Sequence, residues 1–210
     1  THLHTDHASA LPALVKGSFF TSRDRDLTVA GPAGNDRMPG TADFLQHLIG
    51  QDGAFAYLSS YLEPGGEAWR LRPMEAPLDD GTVVRGDGWS ARSLPVRHGP
   101  IPAVAWRVRI GDCVILYPGD MAEPGDPFVD FAAGADLLIL HAAIPDDAVP
   151  VARRLHMTPT ALVRLANEVA PRRVLLSHFM QRTPDPNGPA FAGLAMPVTA
   201  ARDGLVIDLP

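Results

Sequence analysis

Thr1-His2-Leu3-His4-Thr5-Asp6-His7 packs three imidazoles and a carboxylate into six positions, in the pattern HxHxDH. With eight histidines in 210 residues, random placement does not give such a density, and a metal centre is the economical reading. In an extended strand end, residues two apart point the same way, so His2 and His4 can reach one ion. A bend into a helix then carries Asp6 and His7 round towards a second ion. Nitrogen and carboxylate ligands without a thiolate suit zinc best, ahead of manganese or iron.

Working outward, the chain of 22.4 kDa is long enough to bury a substantial core and is expected to form one domain spanning 1–210. No run of 18 apolar residues exists in it, so no membrane span is expected. A net charge of −6 lacks the basic footprint of a nucleic-acid binder, and nucleic acid is not the favoured partner. The lone Cys113 cannot form an internal disulfide and leaves the compartment open. The chain opens without Met and inside its motif, so an N-terminal part, with any signal peptide, is expected to precede Thr1. Both a cytoplasmic and a periplasmic or secreted location fit this, and a homodimer is compatible with it.

The pattern predicts a helix over 8–20, a strand over 26–30 and one or two helices from Thr41, with Thr41 as a cap. His47 falls on that helical pattern and reads as structural or solvent-facing. After Pro64-Gly65-Gly66 come strand-like stretches at 67–74, 81–85, 89–96, 103–110 and 113–117, separated by Gly-Asp turns. Alternation follows, with helices at 126–133 and 158–169 and strands at 136–140 and 173–176. A meander followed by β-α-β alternation indicates a layered α/β protein with mixed sheets. Trp69, Trp89, Trp106 and Tyr117 are read as core, and Arg153-Arg154 and Arg172-Arg173 as solvated faces.

Four apolar strand runs each end in titratable residues: at His98, at Pro118-Gly119-Asp120, at His141 and at Ser177-His178. Ligands gathered at strand ends, beside loops, are how a rigid sheet presents a site. In order and spacing these residues, with HxHxDH, resemble the metallo-β-lactamase superfamily, whose fold is a four-layer αββα sandwich. The resemblance runs from Thr1 to an expected closing strand at 204–209. It implies that His2, His4 and His98 hold a first zinc, that Asp6, His7 and His178 hold a second, and that Asp120 bridges them. Within the superfamily, the aspartate bridge points away from the antibiotic-hydrolysing members, and His4 away from the flavodiiron oxidoreductases. The pattern is most similar to the ribonuclease Z-like group, with His156-Met157-Thr158 matching its H-[ST]-T type segment except for the Met.

Two departures shape the functional expectation. Ribonuclease Z proper carries a long basic arm for tRNA between the third His ligand and the bridging Asp. Here 21 positions separate His98 from Asp120, filled by strand, turn and strand, which leaves no room for it. His141 stands where the group often has Glu and is read as structural or as support behind the ligands. The resemblance implies a dizinc hydrolase using a hydroxide shared by the ions, with Asp6 orienting or deprotonating the water. His156 would stabilise developing charge or protonate the leaving group. A small ester is the expected substrate, a phosphodiester first and a lactone or thioester next. The alternatives are tRNA 3′-processing and a metal-binding sensory protein without turnover. Arg182 is read as an anion contact or a surface residue, and Phe179, Met180 and Phe191 as walls of an apolar pocket.

Overall fold

The computed structural model describes residues 1–76, 81 and 83–209. After an extended start, a short helical turn α1 (Thr5–Ala8) leads into α2 (Leu11–Gly17) and a 3₁₀ turn at Ser18–Phe20. The helix expected over 8–20 is thus broken in two. Pro12, which has no N–H to donate, stands in the first turn of α2, where the chain restarts. Strand β1 (Leu27–Pro32) follows, then α3 (Thr41–Ile49) and a 3₁₀ segment at Ala56–Leu62. Thr41 does not cap α3. Gly40 holds the cap position, and the Thr41 hydroxyl donates instead to the Pro32 carbonyl at 2.9 Å.

Strand β2 (Leu71–Ala76) pairs with β1 in parallel, with Leu27 opposite Leu71. Then come β3 (Val83–Gly86), β4 (Trp89–His98), β5 (Ile101–Ile110) and β6 (Cys113–Tyr117), each antiparallel to the one before. Of the strand expected at 81–85, residue 82 lies outside the described residues. The second half supplies α4 (Asp126–Ala132), β7 (Leu137–His141), α5 (Pro150–Arg153), α6 (Pro159–Val169), β8 (Arg173–Ser177) and β9 (Val198–Ala200). Strands β6 to β9 run parallel, completing a seven-stranded mixed sheet in the order β3-β4-β5-β6-β7-β8-β9.

Each sheet buries one face under helices. Phe128 and Ala132 of α4 and Leu162, Leu165, Ala166 and Val169 of α6 pack on Leu116, Leu138, Leu140, Val174 and Leu176 of the large sheet. Helix α6 presents this apolar stripe at helical spacing. Its start is fixed by Thr158, whose hydroxyl accepts from the Ala161 N–H. Val15 of α2 and Leu45 and Ile49 of α3 form a second core with Leu58, Tyr61, Trp69 and Leu71 beside the small sheet. Burial alternates along β6 and β8, while β7, central and covered on both sides, is buried nearly throughout.

Three expectations fail here. Residues 204–209 form no strand, because the edge of β8 is already taken by Val198–Ala200, and Val206 is left 81 % exposed. Trp89 and Tyr117 are exposed rather than core, Trp89 at the mouth of the β3–β4 hairpin and Tyr117 at the end of β6. Trp69 is buried as expected, and His47 faces solvent. Among the described residues no helix is long and apolar enough to cross a membrane.

Strand direction positions the site. Because β5 is antiparallel to both β4 and β6, strands β4, β6, β7 and β8 all point the same way. Their last residues therefore meet along one edge of the sheet. The Thr1 carbonyl accepts from the Val104 N–H near the start of β5, which delivers the N-terminal motif to that same edge.

Candidate metal centre

The motif is built as its spacing suggests. His4 is extended (φ −65°, ψ 151°), and the chain then turns, with the His7 and Ala8 N–H groups both donating to the His4 carbonyl at 3.0 Å. This turn brings Asp6 and His7 round to His178, while the His7 ring stays 4.1 Å from that of His2. His98 arrives from the end of β4, Asp120 from the loop after β6, His141 from the end of β7 and His178 from just beyond β8. Every histidine of the chain except His47 stands in this one cluster, with ring centroids of neighbours 4.1 to 5.8 Å apart.

Among the described residues, three groups of side chains bring their ligand atoms within 4.8 Å of one another: His2, His4 and His98; Asp6, His7 and His178; and His2, His7 and Asp120. His2 Nε2 lies 3.0 Å from His4 Nδ1, and His98 Nε2 lies 3.3 Å from the same atom. His7 Nε2 lies 3.1 Å from His178 Nε2, and Asp6 Oδ2 is 3.4 Å from both. Imidazole nitrogens around a tetrahedral ion at about 2.0–2.1 Å stand about 3.3 Å apart, so these spacings fit a shared cation. Asp120 Oδ2 lies 3.4 Å from His7 Nε2 and 3.2 Å from His178 Nε2, while its buried Oδ1 has no hydrogen-bond partner among the described residues. A buried carboxylate that has one oxygen against His7 and His178, the other unsatisfied, and ligand atoms of His2 and His7 within reach fits a place beside a cation.

The surroundings set the ligand state. His98 Nδ1 lies 2.8 Å from the Leu155 carbonyl, which can only accept, so the proton sits on Nδ1 and Nε2 keeps its lone pair. Burial, reinforced by the neighbouring imidazoles, pushes His2 down to about 2 and depresses His98. Both are thus neutral donors at ordinary pH. Burial opposes the charge on Asp120, but the hydrogen bond from His7 and the nearby His141 and His178 outweigh it, holding its carboxyl below the usual carboxylate range.

Gly119 allows this crowding. It adopts φ +64°, and a Cβ there would stand 2.5 Å from the Thr1 side chain, so only glycine lets the Asp120 loop meet the start of the motif. His141 is fully engaged. Its Nδ1 lies 3.1 Å from the Gly119 carbonyl, and its Nε2 accepts from the Met157 N–H at 3.0 Å. Burial pushes it down to about 3, so it is a neutral strut joining the Asp120 loop to the His156 loop. His141→Leu would leave both backbone groups buried and unpaired, lowering stability by about 2–5 kcal/mol. His141→Gln, with donor and acceptor both present, should recover part of that loss in thermal unfolding.

His156 stands beyond the ligand sets, 7 % exposed, and its Nδ1, 3.7 Å from Asp120 Oδ2, has no hydrogen-bond partner among the described residues. Arg182 is exposed, and Phe179 and Met180 lie half open beside His178. Phe191 is instead part of the core under α6, which removes it from any pocket wall.

A family model described as a beta-lactamase superfamily domain matches residues 1–179, which include every residue of the cluster. The chain belongs to the beta-lactamase superfamily. It is a hydrolase of that superfamily with the metallo-β-lactamase fold, and its His/Asp groups could hold metal. Ribonuclease Z of Natronomonas pharaonis is 29 % identical to it, over 100 % of this chain and 80 % of that one. Ribonuclease Z of Haloferax volcanii is 27 % identical, over 87 % and 67 %. Among solved structures, the metallo-beta-lactamase fold protein YhfI from Bacillus subtilis superposes with a TM-score of 0.72 at 19 % identity, covering 98 % of this chain and 74 % of that one. The short form of human tRNase Z gives 0.68 at 23 % identity, covering 100 % and 77 %.

Proposed function

We propose that the protein is a metal-dependent phosphodiesterase with a binuclear, zinc-type centre. The observation that carries this reading is Asp120, buried between two sets of ligand atoms with one oxygen unpaired. In the proposed assignment His2, His4 and His98 would hold one ion and Asp6, His7 and His178 the other, with Asp120 available to both. Bound divalent ions would supply Lewis acidity and a water acidified towards neutrality.

The chain's own residues then have separable tasks. Asp6, whose side chain is 65 % exposed at the open side of the cluster, accepts a hydrogen bond from the attacking water and orients it. His156 donates from its ring N–H to an oxygen on which negative charge develops. A neutral imidazole keeps one donor, and burial pushes His156 down to about 4, which suits donation more than proton transfer. His141 holds the Asp120 and His156 loops in register. The relatives' name supports phosphorus chemistry, since a ribonuclease acts on phosphodiester bonds of RNA.

The connection from His98 to Asp120 consists of the tight turn at Gly99-Pro100, β5, the turn at Gly111-Asp112 and β6. Nothing there reaches out to grip a folded RNA body, which favours a small diester or a short chain end over tRNA. The test is hydrolysis of bis(p-nitrophenyl) phosphate by the metal-loaded protein. Metal-dependent release of nitrophenol that a chelator abolishes is the expected result. A protein loaded with two metals that leaves the diester intact, yet opens lactones or cleaves thioesters, would transfer the reading to carboxylic esters.

A further inference from the structure

A cleft of about 840 Å³ opens directly off the centre at His4. Its floor is largely apolar, with Ile101, Val151 and Leu155 among its walls, yet three arginines, Arg97, Arg153 and Arg154, line it against one acidic residue, Glu123. In a chain of net charge −6 this is a local reversal of sign. Most of the charge is already engaged. Arg97 donates to the Glu123 carbonyl at 2.6 Å, Arg153 donates to the Ala148 carbonyl at 2.8 Å and also to that of Asp146, and the Glu123 carboxylate is ion-paired with Arg164. Arg154 differs: its exposed guanidinium makes no hydrogen bond or ion pair with any described residue.

The backbone of Arg154 is nevertheless held firmly against the metal centre. Its carbonyl accepts from the Gly99 N–H at 2.8 Å, and the next carbonyl, of Leu155, meets His98 Nδ1 at 2.8 Å. Gly99 adopts φ +58°, a conformation that glycine takes without strain, at the turn whose N–H makes this contact. Arg154 thus carries five unpaired N–H donors on a backbone one residue from a contact with a ligand of the centre.

We infer that Arg154 is a specificity-determining residue that binds a second anionic group of the substrate, a phosphate lying along the cleft beside the scissile diester. The inference rests on the phosphodiesterase reading and sharpens it: a neutral neighbour on the substrate leaves the guanidinium unused, whereas a phosphate meets it as a fork. The same chemistry is offered by a nucleotide bearing a terminal phosphate and by the next phosphate of a short RNA.

Calorimetric binding to the metal-loaded protein tests this without requiring turnover. Thymidine 3′,5′-bisphosphate is expected to bind about 10- to 100-fold more tightly than thymidine 3′-monophosphate, the range of one charge-assisted contact. In Arg154→Ala that preference should shrink to about threefold or less, with the monophosphate affinity unchanged. Arg202→Ala, which removes an exposed arginine near the C-terminus, should keep it. A tetranucleotide RNA with and without a 5′-phosphate forms the second arm. Dependence on Arg154 in the first arm assigns a small nucleotide, and dependence confined to the second assigns a polynucleotide. A bisphosphate and an RNA phosphate preference that both survive Arg154→Ala, or a parent protein with no preference in either arm, overturns the inference. Binding as expected by a metal-loaded protein that cleaves no diester would instead refute the reaction assigned above and leave the anion site standing.

Discussion

Asp120→Ala is expected to lower kcat for a diester by about 10³-fold and to reduce bound metal from about two ions per chain to about one. The side chain is 3 % exposed and its Oδ2 stands within 3.4 Å of the His7 and His178 nitrogens. It belongs to a ligand group with His2 and His7, so no other carboxylate in the metal-ligand groups is placed between the sets at 2/4/98 and 6/7/178. In the proposed assignment, removing it would take away a ligand and the buried carboxylate placed to offset the charge of the bound cations. Asp120→Asn, nearly the same size, keeps one oxygen but no charge and should fall between. Asp6→Ala provides the contrast: Asp6 is 65 % exposed at the edge of one group only, so its loss should lower kcat while sparing the first ion. Elemental analysis beside steady-state kinetics decides the matter, and full metal loading in Asp120→Ala would remove Asp120 from the bridging role.

What the chain discloses before its structure is known follows from how local each signal is. HxHxDH is legible because its geometry is made by an extended residue and one helical turn, both short-range, and His4 and Thr5–Ala8 adopt that conformation. His98, Asp120, His141 and His178 are legible because each terminates an apolar strand run, and parallel strand directions convert sequence ends into one spatial edge. The strand expected at 204–209 fails for the opposite reason. The apolar, β-branched run there is clear, but a strand needs a pairing partner, and the place beside β8 is taken by Val198–Ala200, whose pattern is too short to read. Thr41 has the chemistry of a cap, yet its hydroxyl is claimed by Pro32 across a turn. The bond of His141 to Met157, and the fastening of Arg154 to Gly99, join segments separated by loops of no fixed pattern. No local window contains such contacts, and Arg153-Arg154 consequently reads as an ordinary solvated pair.

His156→Ala is expected to leave metal content unchanged and to lower kcat by about 10²- to 10³-fold for a diester with a poor leaving group, with KM moving little. The ring is packed against His98, His141 and His178 at centroid distances of 5.4, 5.4 and 5.8 Å, but its buried Nδ1, 3.7 Å from Asp120 Oδ2, has no hydrogen-bond partner among the described residues. A buried donor without a partner is costly, and a substrate oxygen would supply the missing acceptor. Because the donated bond strengthens as charge builds on that oxygen, the loss should depend on the leaving group. An alkyl ester, which needs the stabilisation, should slow far more than a p-nitrophenyl ester, whose phenolate carries its own charge well. A residue that merely shaped the cavity would slow both esters alike. His156→Gln, which keeps an N–H donor without an imidazole, should recover part of the alkyl-ester rate. Loss of metal from His156→Ala, or equal loss with both esters, would place His156 among the ligands or the packing instead.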